Sequence, residues 1–296
     1  MIYDVIIIGM GPAGVSAAIY AKRAGLNVLC LDQAMIGGYL NYIDKIDNYP
    51  GLYGISGPDF AYKLYEHVNS LDIEFKNKKV LSIVDGDIKK VITNDDEYLC
   101  KYIIIATGRE SKKIGLENED ILQGKGISHC ALCDGAFYKN KTVAVIGGGD
   151  SALQEALHLS NIAEKVYLIH RRDEFRAINE LVDRVNEKDN IVKIMKTNVV
   201  SFEINDDKLS GLLLDSGDSL EVDGLFVYIG FVPTTSFAKD LEITNKDGYI
   251  VVNKNCESSR KGIYAIGDII EKDIYQISTG VAEGVIAAVN IIEKCK

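Results

Sequence analysis

The sequence "YDVIIIGMGPAG", residues 3–14, runs an apolar, β-branched segment straight into Gly9-x-Gly11-x-x-Gly14 and then into the helical pattern "VSAAIYAKRAG". A buried parallel strand, a tight glycine turn and a helix amino end form a cradle of backbone N–H groups that receives a pyrophosphate. One such stretch is weak evidence, because a glycine turn between strand and helix also serves structure alone. The pattern returns in "KTVAVIGGGDSA", residues 141–152, as Gly147-x-Gly149-x-x-Ala152 followed by "LQEALHLSNIA". The second strands repeat too: "LNVLCLD" ends at Asp32, 23 residues after Gly9, and "EKVYLIH" ends at His170, 23 residues after Gly147. Landmarks offset by 138 residues throughout predict an α/β chain with two Rossmann-like dinucleotide-binding domains.

The two units suit different ligands. Asp32 stands where a carboxylate accepts hydrogen bonds from an adenosine ribose, which fits FAD or NAD. With Gly9, Gly11, Pro12, Ala13, Gly14 and Gln33 it makes up the first cofactor-binding set. The second unit has no acid at that place. Its "HRRDEFR" supplies His170, Arg171, Arg172 and Arg176, guanidiniums suited to a bidentate grip on a 2′-phosphate, beside Gly147, Gly149, Asp150, Ser151 and Ala152. The preferred ligand there is NADPH; the alternative is a solvated basic turn whose arginines pair with Asp173 and Glu174.

Two more strands belong to the first unit. "YIIIATG" (102–108) ends at Thr107 and Gly108, and "GIYAIGD" (262–268) ends at Gly267 and Asp268, where the acid can hold the ribityl hydroxyls of a flavin. "LFVYIGFVP" (225–233) is the matching strand of the second unit. The expected layout is one domain inserted into another: residues 1–112 and 243–296 as a discontinuous FAD domain, 113–242 as an NADPH domain. The joints are the polar segments "GRESKKIGLENED" and "KDLEITNKDG", both read as loops.

Composition narrows the classes. The 296 residues suffice for two cores, with the 47% hydrophobic and 26% charged content of an ordinary globular protein. A formal charge of -10, from 33 Lys and Arg against 43 Asp and Glu, excludes the clustered base of a nucleic-acid binder and argues against membrane binding. No apolar run approaches the roughly 18 residues of a membrane span. "MIYDVIIIG" enters a strand with no basic segment or cleavage site, so the expected compartment is the cytoplasm, where thiols stay reduced.

In that compartment "GKGISHCALCDGAFY", residues 124–138, stands out. A CxxC pair reads there as redox-active or metal-binding. Structural zinc takes four ligands, delivered as close pairs, whereas Cys30, Cys100, Cys256 and Cys295 are scattered singly and no second pair accompanies Cys130 and Cys133. No metal is expected, and His129 reads as a backbone-bonded or surface histidine.

The order of Gly9-Gly11-Gly14, "IDNYPG", "ATG", "CALCDG", "GGGDSA", "HRRDEFRA" and "YAIGD" resembles the low-molecular-weight thioredoxin reductases over essentially the whole chain. CxxC-Asp just ahead of the second glycine motif is the most specific part. The resemblance implies a homodimeric flavoenzyme with tightly held FAD, passing reducing equivalents from NADPH to the redox disulfide and on to thioredoxin. It implies Cys133 next to the flavin, Cys130 outward and attacking the partner's disulfide, and Asp134 as the proton donor. It adds Gly38, Tyr39, Asn48, Val80, Tyr275, Gln276 and Ile277 to the flavin set, and a rotation of the inserted domain between half-reactions.

Three positions depart from the family pattern: Tyr39 for a Gln, Gln154 for an acid and Tyr275 for an Arg. The rival donor is reduced ferredoxin, but relatives that use it lose the second glycine fingerprint and the Arg cluster, and both persist here. A redox-sensing flavoprotein without thioredoxin turnover is a second rival. A ferredoxin–NADP reductase is a third, opposed by the presence of Cys130 and Cys133.

Overall fold

The apolar run at the amino end forms the strand Ile2–Ile8, and its glycine turn leads into the helix Pro12–Arg23. The computed structural model describes residues 1–43 and 45–296. They fall into two units, Met1–Glu110 with Val232–Lys296, and Ser111–Phe231.

In the first unit the sheet order is Glu74–Asn77, Val28–Asp32, Ile2–Ile8, Glu97–Ile105, Lys89–Thr93, Val80–Val84. The first four strands are parallel and the last two turn back antiparallel. Glu97–Ile105 is long enough to serve two neighbours: Lys89–Thr93 pairs with its first half, and Ile263–Ala265 pairs parallel with Ile103–Ile105. Strand alternation sends Val5 and Ile7 into one core, and Ile6 and Ile8 into another, so the sheet is covered on both faces. The core holding Val5 and Ile7 includes the helices Pro12–Arg23 and Ile277–Cys295, which meet through small residues. A Cβ on Gly284 would lie 2.5 Å from the Ala13 carbonyl oxygen, and Ser16 Oγ donates to the Val281 carbonyl at 2.8 Å.

In the second unit five parallel strands run in the order Ile191–Met195, Lys165–His170, Thr142–Gly147, Gly224–Tyr228, Ile127–Ser128. A separate antiparallel sheet is built from Val199–Asn205, Lys208–Leu214 and Ser219–Glu221. The sequence repeat reappears as a repeat of register: Val5 pairs with Val28 and Ile8 with Leu31, while Val143 pairs with Val166 and Ile146 with Ile169. Equal spacing from strand to turn to helix leaves each pair of strands one way to align.

The return crossing lies at Phe231–Val232, ahead of the expected boundary at 242–243. The reason is packing. Thr234 N–H donates to the Gly108 carbonyl at 3.1 Å, and Ala238, Leu241 and Ile243 are buried in a core of the first unit. "KDLEITNKDG" is therefore no joint; its start belongs to the 3-10 helix Ser236–Leu241. Nor are the crossings loops, since Arg109–Ser111 and Phe231–Pro233 are short strands paired with each other.

Candidate active site

Cys130 and Cys133 are joined in a disulfide, with Cα atoms 5.4 Å apart. Cys130 caps the one-turn helix Ala131–Asp134: its Sγ accepts the Cys133 N–H at 3.0 Å, and its carbonyl accepts the Asp134 N–H at 3.1 Å. Three further groups hold this turn. Ser128, 5% exposed at the end of its strand, accepts the Cys130 N–H at 3.0 Å and donates to Asp134 Oδ2 at 2.6 Å. Tyr228 Oη accepts the Ala131 N–H at 3.0 Å. His129 Nδ1 lies 3.3 Å from the Val227 carbonyl oxygen, so this histidine is backbone-bonded, and among the described residues no cluster could hold a metal ion.

The two cysteines differ in exposure. Cys130 is 8% exposed, whereas Cys133 is exposed. The cause is position: Cys130 caps the turn with its backbone tied to Ser128, and Cys133 lies within the turn on its open side. The three buried free thiols do not compete for redox work. Burial pushes the Cys100 thiol up to about 12 and the Cys256 thiol up to about 11, and raises Cys30 as well. A buried thiol so disfavours the thiolate that it is a poor nucleophile.

Both glycine turns have the form a pyrophosphate requires, and glycine is demanded for different reasons within each. Gly9 has φ +99°, and a Cβ there would meet the Ala106 carbonyl oxygen at 2.4 Å; a Cβ on Gly14 would sit 1.9 Å from the Gly9 carbonyl oxygen. These two are imposed by packing. Gly11 and Gly149 are not: a Cβ on Gly11 finds its nearest neighbour at 4.0 Å, and one on Gly149 finds nothing within 4 Å. Each caps a helix, Pro12–Arg23 or Asp150–Ser160, with extended backbone. Open space at the middle glycine of each turn, above a helix amino end, is the room a phosphate would occupy. The residues present fit dinucleotides in both units.

A split result is therefore expected from two substitutions. Gly14→Ala should destabilise the fold by about 3 kcal/mol, the cost of forcing an atom into packed backbone. Gly11→Val should leave the stability of the flavin-free protein within about 1 kcal/mol of the parent, yet strip flavin from the purified protein. Equal flavin content in parent and Gly11→Val protein would contradict this use of the turn.

In the first unit Asp32 is engaged by backbone: Oδ2 accepts from Met10 N–H at 2.7 Å and Oδ1 from Ala34 N–H at 2.9 Å. Burial raises its carboxyl above the usual range, partly opposed by these donors. Gln33 and Tyr39 are exposed, and Gly38 is half-buried. Asn48 Nδ2 donates to Gln276 Oε1 at 3.0 Å, so two sequence-predicted flavin contacts meet across 228 residues. Gln276 also caps the helix Ile277–Cys295 in a reciprocal box with Thr279. Val80 is packed in a core with Ile83 and Val91. Thr107 Oγ1 donates to the Thr234 carbonyl at 3.0 Å.

Asp268 carries a partner that the sequence did not suggest. Arg109 Nη2 lies 2.8 Å from its Oδ2, and the same guanidinium lies 4.0 Å from the centre of the Tyr275 ring. Lys272 approaches that ring at 5.6 Å and binds both oxygens of Glu283, which in turn accepts the Gly267 N–H at 2.7 Å. Tyr275, where the family pattern has Arg, thus carries a guanidinium brought from Arg109. The signal was present: Arg109 follows "ATG" directly.

In the second unit the His170 ring covers the glycine turn, for a Cβ on Gly148 would fall 2.2 Å from its Cε1. Burial holds the imidazole below its ordinary range, and Arg176, Arg172 and Arg171 push the same way. Arg176 N–H donates to the Gly148 carbonyl at 2.6 Å, and Asp150 Oδ1 accepts from Ile178 N–H at 2.9 Å. Arg171, Arg172 and Arg176 are exposed and, among the described residues, form no ion pair; Asp173 pairs with Lys196 at 3.5 Å. The basic turn is not neutralised by its own acids. Ser151 follows on the exposed side of the helix and Ala152 is buried beneath the turn.

Two parallel-sheet units with phosphate-type glycine turns, one bearing a CxxC disulfide, define a pyridine nucleotide enzyme acting on disulfides. A family model described as pyridine nucleotide-disulphide oxidoreductase matches residues 3–284. A thioredoxin reductase of Bacillus subtilis is 40% identical over 98% of this chain and 94% of its own. The crystal structure of Lactococcus lactis thioredoxin reductase superposes with a TM-score of 0.93 at 38% identity, covering 98% of both chains. A ferredoxin-flavin thioredoxin reductase from Clostridium acetobutylicum is 34% identical over 99% of this chain and 98% of its own, with a TM-score of 0.55. The chain belongs to the pyridine nucleotide-disulphide oxidoreductases, within the thioredoxin reductase family.

Proposed function

We propose that the protein is an NADPH-dependent thioredoxin-disulfide reductase that uses FAD and works as a homodimer in the cytoplasm. The observation that carries this reading is the Cys130–Cys133 disulfide, set on a one-turn helix in the unit that also bears Arg171, Arg172 and Arg176, which form no ion pair among the described residues. FAD, when bound, supplies the two-electron chemistry between nicotinamide and disulfide. Gly11, Asp32, Asn48, Asp268 and Gln276 would hold it in the first unit, and Arg171, Arg172 and Arg176 would take the 2′-phosphate of NADPH in the second.

Reduction of the pair leaves two thiols. The Cys133 N–H that donates to Cys130 Sγ favours negative charge on that sulfur, which makes Cys130 the attacking thiolate. It forms a bond to one sulfur of the partner's disulfide, the partner's S–S bond breaks, and the departing thiolate takes a proton from Asp134. Cys133 then attacks Cys130 Sγ, the second partner thiolate leaves, and the intramolecular disulfide is restored. Phe137, 74% exposed just beyond the redox turn, offers a protein acceptor an apolar contact that a small disulfide does not need. Because Cys130 is buried in the disulfide state, the reading includes rotation of the Ser111–Phe231 unit about its two crossing strands between half-reactions.

The donor is tested by anaerobic turnover with thioredoxin, comparing NADPH, NADH and reduced ferredoxin. NADPH is expected to support the highest kcat/KM. Turnover with ferredoxin alone would replace the donor assignment, and flavin bleaching by NADPH without reduction of any disulfide acceptor would overturn the enzyme reading.

A further inference from the structure

We propose that Ser128 is a positioning residue for the redox reaction, holding Asp134 so that its proton is delivered from Oδ1 to the departing thiolate. The inference rests on the reductase reading above and extends it to a residue that no motif singled out.

The geometry is local to one turn. Ser128 is 5% exposed, accepts the Cys130 N–H at 3.0 Å, and lies 2.6 Å from Asp134 Oδ2 and 3.3 Å from the Cys130 carbonyl oxygen. A hydroxyl has one proton to give. The shorter contact takes it, so in the disulfide state Ser128 donates to a carboxylate oxygen, a charge-assisted bond. Oδ2 is thereby committed as an acceptor. A proton on the acid then resides on Oδ1, the oxygen left for the chemistry.

The proton ledger agrees with the oxidation state. The reduced pair starts with a Cys130 thiolate, a Cys133 thiol and a protonated Asp134. Cys130 attacks, the partner's S–S bond breaks, and the departing thiolate takes the Asp134 proton. The Asp134 carboxylate then accepts the Cys133 proton, Cys133 attacks Cys130 Sγ, and the second partner thiolate leaves with that proton. Two electrons and two protons pass to the partner, and Asp134 ends as a carboxylate. A carboxylate is the form to which the Ser128 hydroxyl can donate at 2.6 Å beside the closed disulfide.

The other titratable groups around the turn are Cys130 and Cys133 themselves, His129 just ahead of Cys130 and bonded to the Val227 carbonyl, and Tyr138 on the next turn, whose phenol is raised first by burial and then by Asp134. Tyr228 bonds Ala131 N–H, and His158 lies 3.8 Å from a Cβ built on Gly135, from the helix packed against the turn. Asp223 acts on Tyr138 from beyond. The test must separate Asp134 from these.

The FAD-loaded enzyme is assayed with NADPH and thioredoxin, and kcat and KM for thioredoxin are read separately. Ser128→Ala releases the acid from its position, so kcat should fall about tenfold with KM for thioredoxin little changed. Ser128→Thr keeps the hydroxyl and should keep the parent values. If Ser128→Ala does not fold, Ser128→Val against Ser128→Thr makes the same comparison at equal volume. In Asp134→Asn kcat should fall further, and adding Ser128→Ala should then lower it no more, because the serine acts through the acid. An equal loss from Ser128→Ala in the parent and in the Asp134→Asn background would overturn the proposal and leave Ser128 a structural tie. An Asp134→Asn enzyme with the parent kcat would overturn the role of the acid itself, and absence of thioredoxin turnover in the parent would overturn the reductase reading; each is distinct from failure at Ser128.

Discussion

Serine at either cysteine of the pair is expected to lower thioredoxin turnover on the order of a thousandfold or more, while NADPH still bleaches the flavin. The two variants should differ in what they trap. Cys133→Ser leaves Cys130, whose sulfur accepts the N–H of residue 133 at 3.0 Å, a backbone donor that the substitution retains. That variant attacks thioredoxin but cannot resolve, so a mixed disulfide should accumulate on a non-reducing gel. Cys130→Ser leaves a thiol without that donor and should trap little. The reverse pattern would assign attack to Cys133, the exposed sulfur in the disulfide state. Turnover retained by either variant would remove the disulfide from the pathway.

The second large effect is expected at Arg171 and Arg172. Neither forms an ion pair among the described residues, so their charge is available to a ligand rather than spent on Asp173 or Glu174. A guanidinium bonded to a phosphate is a charge-assisted contact, and losing one costs roughly tenfold or more in affinity. Alanine at either position should raise KM for NADPH by about that factor and leave kcat little changed, because the contact is remote from the reacting carbon and equal in ground and transition states. NADH has no phosphate at that place, and its KM should hardly move. Parallel losses with both donors would mean that the arginines support the turn and not the phosphate.

Much of this was legible before any fold was seen, and for a definite reason. The strand, glycine turn and helix of each unit follow one another within about 30 residues, so spacing alone sets the ladder. Val5–Val28 and Val143–Val166 pair at the same offset that the motifs show. The return boundary was misread because residues 234–243 look polar. Their contribution to the core comes through Ala238, Leu241 and Ile243, on a 3-10 segment with no helical or strand period to betray it. Which cysteine is the more buried was not legible for a related reason. CxxC spacing makes a disulfide easy to close but does not say which sulfur caps the turn.

The chain order thus contained the two dinucleotide-type units, the redox pair and the basic turn, because each is written in residues close together. Which groups tune those sites was decided by packing. Arg109 reaches Asp268 across 159 residues, and Asn48 meets Gln276 across 228. Even Ser128, six residues from Asp134, is a partner only because a strand end and a one-turn helix bring its hydroxyl between acid and cysteine. Hydrogen bonds and ion pairs act over a few ångströms in space, and separation along the chain fixes that distance only within one turn or one strand pair.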